Sequence, residues 1–361
     1  MPPRPRALVR ASLLLVAVCA LAFLASPMGS YLARAGWEEA RILRNRRSIA
    51  TLVADSTVSA PLRQRLQLVM DARHFAVDSI GLVAKESFTT YSALSRDTLV
   101  LVLSASRRDT LAAHTWWFPV VGRFPYKGFF DFSEAQRVAA DMRERGYDTY
   151  VRPASAFSTL GWFNDPLLST TVRQPAEAVV NTVVHELLHN TVFVRGQVVF
   201  NESFASFVGA HGAMAFYRSR GDTAAVRRAR DDWEDDKALA AFWSATARSI
   251  DSVLAIPGRD SVARIAARDT VYARMRTWLM HEIAPRLRLV DTTRLRVIQL
   301  DNAALIARRT YASDLALFDE LHRKAGGDLR RTVDVIRSLT KKDGDAFAAV
   351  RGHVQQGAGS S

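Results

Sequence analysis

Two histidines four residues apart, His185 and His189, share the stretch "VVHELLHN" with a glutamate, Glu186, directly after the first, and a further glutamate, Glu202, follows in "FNESFASFV". Imidazole nitrogens and carboxylate oxygens are the donors that bind zinc and similar divalent cations. No thiol competes, because the single cysteine, Cys19, lies in an N-terminal apolar run. A cysteine-based metal site and an internal disulfide are thereby excluded from the folded part. His-Glu-x-x-His on a helix lets both rings hold one zinc ion while the glutamate acts as general base on the attacking water. In a chain of this length and composition the pattern arises by chance on the order of one time in a hundred, so its surroundings must carry the case.

The segment that has to position the pair is "QPAEAVVNTVVHELLHN". Pro175 suits a first helical turn, and Val179, Val180, Val183, Val184, Leu187 and Leu188 form a broad apolar surface that predicts a deeply buried helix. On that helix positions 185 and 189 differ by about 400°, or about 40° net, so both rings project from one stripe; Glu186 stands about 100° away. A catalytic zinc takes a third protein ligand and keeps one position for water. Asn201 reads as a helix N-cap, which places Glu202 in the first turn of a second helix. The connection "TVFVRGQVV", centred on Gly196, is long enough to turn the chain back. His211 is the rival ligand, but nine helical positions, about 900°, put it opposite Glu202 unless the helix breaks near Gly209 or Gly212. The bland reading makes these residues core histidines and surface acids. It fits poorly with so apolar a helix, since burying ionisable groups without partners is costly.

The rest of the chain supplies the frame. The 361 residues, 48% apolar and 24% charged, suit a globular protein. The formal charge of +13 comes from arginines that alternate with acids along helical segments, as in "AAVRRARDDWEDDKAL", so nucleic acid is not expected as a partner. Apolar spacing predicts two amphipathic helices between 31 and about 75, and short strands separated by glycine and proline from 98 to 153. Between those strands "SEAQRVAADMRERGYD" predicts a helix capped by Ser133 and stopped by Gly146. Helices follow almost continuously from 175. The expected fold class is α+β, mainly α with a small mixed sheet placed before the histidine helix. The expected division is 1–28, 29–165 and 166–361, the last two forming one continuous globular unit.

Arg4, Arg6 and Arg10 precede an uncharged apolar run at residues 11–28, the pattern of an export signal or membrane anchor. The expectation is a protein of the bacterial cell envelope, anchored in the inner membrane or exported, with its body outside the cytoplasm.

The segments "WWFPVVGRFPYKGFFD", "GYDTYVRPASAFSTLGWFNDPLLST", "HELLHN", "FNESFASFVGAHG" and "LDNAALIARRTYASDLALFDELHRKAGGDL" resemble, in order and spacing, a bacterial family of zinc aminopeptidases. The resemblance covers residues 28 to about 340. It implies a zincin-like fold, one zinc ion, His185, His189 and Glu202 as metal ligands, and Glu186 as catalytic glutamate. The later N-E dipeptide matches the broader gluzincin pattern, although the His189-to-Glu202 interval is shorter than in the best-known gluzincins.

The reaction so implied is hydrolysis of peptide bonds in short peptides. An endopeptidase of the same chemistry and a zinc-stabilised binding protein without turnover are the alternatives. Tyr311, and after it Tyr217, are candidates to stabilise the oxyanion, each against the plainer role of packed aromatic. Trp162 and Phe163 in "AFSTLGWFNDP" could line a substrate-binding edge strand or simply cap the core. Glu177, Asp165 and Glu282 are available to hold a substrate ammonium group. The motif "HEIAP" at 281–285 lacks a second histidine and reads as structural.

Overall fold

The computed structural model describes residues 26–94, 100–118, 122–154, 166–310, 313–341 and 343–356, together with Leu14 and Thr98. The apolar run expected to meet the membrane lies almost wholly outside the described residues. Among the described residues no helix is long and apolar enough to cross a membrane.

The chain is mainly helical with small sheets, an α+β arrangement. Helix α1 (Pro27–Arg44) leads through the two-residue strand β1 (Arg47–Ser48) into α2 (Ile49–Ala54) and α3 (Ala60–Phe75). The first predicted helix is therefore broken by β1, where Ser48 turns the chain and its hydroxyl accepts the Thr51 N–H. Strands β2 (Thr90–Ser92), β3 (Leu101–Arg107), β4 (Trp116–Phe118), β5 (Gly122–Phe124) and β6 (Lys127–Phe129) precede α4 (Phe132–Glu144) and β7 (Tyr147–Pro153). The cap of α4 is Asp131 rather than Ser133: its carboxylate accepts the N–H groups of Ser133 and Glu134, stronger than a hydroxyl can manage. Gly146 ends the turn after α4 with φ +82°.

Strands β6, β3 and β7 form an antiparallel sheet in that order, with Val102 opposite Arg152 and Ser104 opposite Tyr150. A second sheet joins β1, β2 and, in parallel with β2, β8 (Leu167–Leu168). Strands β4 and β5 pair as a hairpin. After β8 come α5 (Ser169–Val172), α6 (Ala176–His189), α7 (Val198–Ser219), the long α8 (Thr223–Leu254), α9 (Ser261–Trp278), α10 (Thr292–Arg296), α11 (Asn302–Arg309), α12 (Leu315–Lys324), α13 (Leu329–Leu339) and α14 (Ala346–Gln356).

The largest core gathers the predicted apolar face of α6, all six of whose aliphatic residues are buried, with α3, α7 and the aromatics Phe200, Phe204, Phe207 and Phe318. Each such side chain contributes about 1.5–3 kcal/mol of burial, enough to fix α6 in place before any metal binds. A second core links the C-terminal half of α8 with α9 and Leu305 of α11.

Two details of packing decide where functional groups stand. Helix α7 crosses α6 at glycines. A β-carbon on Gly212 would lie 2.6 Å from Val184 Cγ1, and one on Gly209 would lie 2.9 Å from the Asn181 carbonyl oxygen. The glycines do not break the helix; they let its backbone approach α6. The second detail is a buried polar knot that fastens α11 to the sheet. Asp148 of β7 pairs with Arg268 of α9 and accepts the Asn302 N–H. The fully buried Asn302 accepts from Arg268 and Tyr272 and donates to the carbonyls of Arg107 and Thr110.

Replacing Gly212 with alanine is expected to lower unfolding stability by about 1–3 kcal/mol, the usual cost of overpacking a tight contact. Urea denaturation would measure it, and an unchanged midpoint would show that α6 and α7 can part without cost.

Candidate metal centre

Helix α6 starts just after Pro175 and ends at His189, so both histidines ride on its last turns. Helix α7 begins at Val198, four residues earlier than an Asn201 cap would have it. Asn201 does other work: from inside the helix its carboxamide accepts the Val194 N–H at 2.8 Å and donates to the Val194 carbonyl at 2.8 Å. That clasp closes the short connection. Gly196 supplies the left-handed turn within it at φ +76°. Gln197 ties the same loop to the start of α14 through Gly344 and Ala346. The interval between His189 and Glu202 can be short because the loop is stapled from both sides.

Glu202 accordingly faces the histidine pair. The Nε2 atoms of His185 and His189 are 3.3 Å apart, Glu202 Oε2 is 3.4 Å from His185 Nε2, and Glu202 Oε1 is 3.7 Å from His189 Nε2. One ligand atom from each residue lies within 4.8 Å of the others, so the three could hold a metal ion. The spacing is informative. Ligands at about 2.0–2.1 Å from a tetrahedral ion stand roughly 3.3–3.4 Å apart; the His185–His189 and His185–Glu202 separations match that edge, and His189 meets the other Glu202 oxygen at 3.7 Å. The rings meet edge to face, at 79°, which lets both Nε2 atoms aim at one point. Side-chain exposures of 15, 23 and 21% leave the point accessible from solvent.

The protonation states suit a cation. Burial pushes His189 down to about 4, helped by the neighbouring charge of His185, so its ring is neutral near physiological pH. Burial would lower His185 too, but the hydrogen bond to Glu202 and the charges of Glu186 and Glu202 outweigh it and raise the group. Burial would raise Glu202, yet the bond to His185 and the charges of both histidines and Arg152 hold it below the usual carboxylate range. The two shifts have one cause: the ion-paired forms of His185 and Glu202 favour each other. Glu186 is half-buried on the adjoining stripe of α6 and is not one of the three converging groups.

The other candidates divide. His211 stands apart from the triad, as the helical angle requires. Its Nε2 meets Asp319 at 2.9 Å in a network with Trp233 and Lys237. Tyr217 lies fifteen positions along α7 from Glu202, about 22 Å of helix. It is buried there, burial pushes its phenol up to about 12, and it cannot serve the triad. Glu177 is engaged with Arg228, and Glu282 pairs with Arg286 at the surface. His281 is exposed. Tyr311, Trp162, Phe163 and Asp165 lie outside the described residues.

The chain is held beside the triad at Ser313. The Ser313 N–H donates to the hydroxyl of Ser203, the residue after Glu202, at 3.0 Å, and the Ser313 hydroxyl donates to the Arg309 carbonyl. Sequence reasoning missed Arg152, whose charge acts on Glu202, and Arg308 beside it. The arginine pair in "ARRTY" was a visible signal for Arg308 alone.

A family model described as "Putative aminopeptidase" matches residues 30–347, a span that takes in the triad, Arg152 and Arg308. No curated protein and no solved structure matches the chain.

Metal uptake is expected to displace the proton that His185 carries below its raised pKa. Affinity should then fall as the pH drops through that pKa, where the proton competes more strongly. Calorimetric titration with zinc in buffers of different ionisation enthalpy reads the proton directly, and pH-independent binding would contradict the assignment.

Proposed function

Because the chain belongs to the family described as "Putative aminopeptidase", we propose that it is a zinc-dependent aminopeptidase of the zincin type, removing N-terminal residues from short peptides. The observation that carries the reading is the convergence of His185, His189 and Glu202 within reach of one ion, with Glu186 on the next stripe of the same helix.

Two imidazoles and one carboxylate are a donor set that zinc accepts with a position left open. A bound zinc ion supplies Lewis acidity, polarising the scissile carbonyl and bringing the pKa of water toward 7. The protein's own groups do the rest. Glu186 is close enough for its charge to act on His185. It takes the proton of the attacking water and returns it to the leaving amine, the double duty of a general acid–base group. The clasp of Asn201 and the glycine crossing keep Glu202 from drifting, so the ligand set is formed before substrate arrives. Tyr311 retains the role of oxyanion donor in this reading, as the resemblance in sequence suggests. The arginines ahead of the N-terminal apolar run support placement outside the cytoplasm in a bacterial envelope, tethered or exported.

Glu186→Gln is expected to keep zinc and to lose about 10²–10⁴-fold in kcat on a free dipeptide substrate, the worth of a positioned general base. Undiminished turnover would overturn the catalytic role. Peptides with an acetylated N-terminus should resist cleavage; their efficient hydrolysis would make the enzyme an endopeptidase instead. Zinc binding with no turnover of any peptide would leave a metal-stabilised binding protein.

A further inference from the structure

A second group of charged residues stands on the wall that β7 and α11 present near the triad. Alternation along β7 puts Asp148, Tyr150 and Arg152 on one face of the strand. Helix α11 covers that face: Asp148 accepts from Asn302 at one end, and Tyr150 meets Arg308 at the other. The polar knot at Asn302 thus fixes the opposite end of the helix, where Arg308 sits. The C-terminal end of α11 reaches the triad: Ser313 bonds back to the Arg309 carbonyl and donates its N–H to the hydroxyl of Ser203, beside Glu202, and the charge of Arg152 acts both on Glu202 and on Arg308.

Arg308 is held without being neutralised. Its guanidinium carbon lies 5.4 Å from the ring centre of Tyr150 and 5.0 Å from that of Trp243 on α8, and Nη2 donates to the Tyr150 hydroxyl at 3.1 Å. Its buried Nε has no hydrogen-bond partner. No carboxylate among the described residues pairs with it. Arg268, a buried arginine on this face, contrasts with it, being paired with both Asp148 and Asp269. Burial and the charge of Arg152 even push the Arg308 guanidinium below its ordinary range. Packing alone gives no reason to place a second cation beside a desolvated one and leave donors unused. Aromatic rings flanking a guanidinium hold its plane and leave its edge free for a planar acceptor that takes two parallel hydrogen bonds.

We propose that Arg308, with Arg152 adding charge, receives a carboxylate of the substrate, namely the free C-terminal carboxylate of a peptide short enough to reach from the triad to this wall. The inference rests on the peptidase reading above and deepens it. Selection is for free di- and tripeptides rather than for the ends of long chains, because the C-terminus is the one carboxylate every such peptide carries. The carboxylate replaces the missing counter-charge of Arg308 and fixes the distance between its own terminus and the scissile bond.

The test compares the zinc-loaded full chain on three tripeptides: a free acid, its C-terminal amide, and an amide carrying one internal glutamate. The expected result is a kcat/KM for the free acid roughly 10- to 100-fold above the plain amide, the worth of charge-assisted hydrogen bonds, expressed mainly in KM. In Arg308→Met that ratio should collapse toward one, and in Arg308→Lys, which keeps charge but not the fork, it should fall in between. Equal rates for acid and plain amide in the wild type overturn the proposal, with or without the variants, should Arg308→Met fail to fold. Preference for the glutamate-bearing amide over the free acid overturns the assignment to the C-terminus. If no peptide is cleaved, the peptidase reading has failed, and calorimetry on zinc-loaded Glu186→Gln decides the subsite separately. Tighter binding of the free acid than of the plain amide upholds it, and equal binding overturns it.

Discussion

The distance between α6 and α7 governs the rest of the structure's chemistry. Gly209 and Gly212 leave α7 no side chain where it meets Asn181 and Val184, so the two backbones approach closely along a stretch that ends beside His185. With Glu202 about two to three turns up the same helix, that approach brings the donor atoms of His185, His189 and Glu202 within reach of one ion. Larger residues at the crossing would widen the triangle, and hydrogen bonds of ordinary length could not draw it back.

The framework around that contact is apolar on one side and polar on the other. The buried aliphatics of α6 and the phenylalanine cluster beneath α7 hold the helices by close packing, which tolerates little displacement. On the open side the connection is held by specific bonds instead: Asn201 clasps Val194, and Gln197 reaches the start of α14. A loop secured in this way needs no length of its own, which accounts for the short interval between the second histidine and the glutamate. Across from it the knot of Asp148, Arg268, Asn302 and Tyr272 fixes α11 against β7, the strand whose Arg152 brings charge to Glu202.

Much of this was legible in the sequence. Valine and leucine at helical spacing around His185 could only mean a buried helix, and the angle between positions 202 and 211 already placed one toward the pair and the other away. His211 duly bonds Asp319. Less was legible where a residue's role depends on distant partners. Asn201 looked like a cap because its type favours caps, whereas the structure uses both ends of its carboxamide on a loop carbonyl and N–H. Gly209 and Gly212 looked like potential breaks, whereas their smallness serves a neighbouring helix. Arg152 and Arg308 are far apart in sequence and meet only because β7 and α11 pack together, which no local pattern reports. The short strands were harder still, since two- and three-residue pairings such as β1 with β2 depend on tertiary contacts more than on propensity.

X-ray absorption at the zinc edge of the loaded protein tests the central claim most directly. Two imidazole nitrogens and one carboxylate oxygen, each at about 2.0–2.1 Å, with one further light oxygen donor, is the first shell this arrangement predicts. A shell of oxygen donors alone, or one with a single imidazole, would show that His185, His189 and Glu202 do not share an ion.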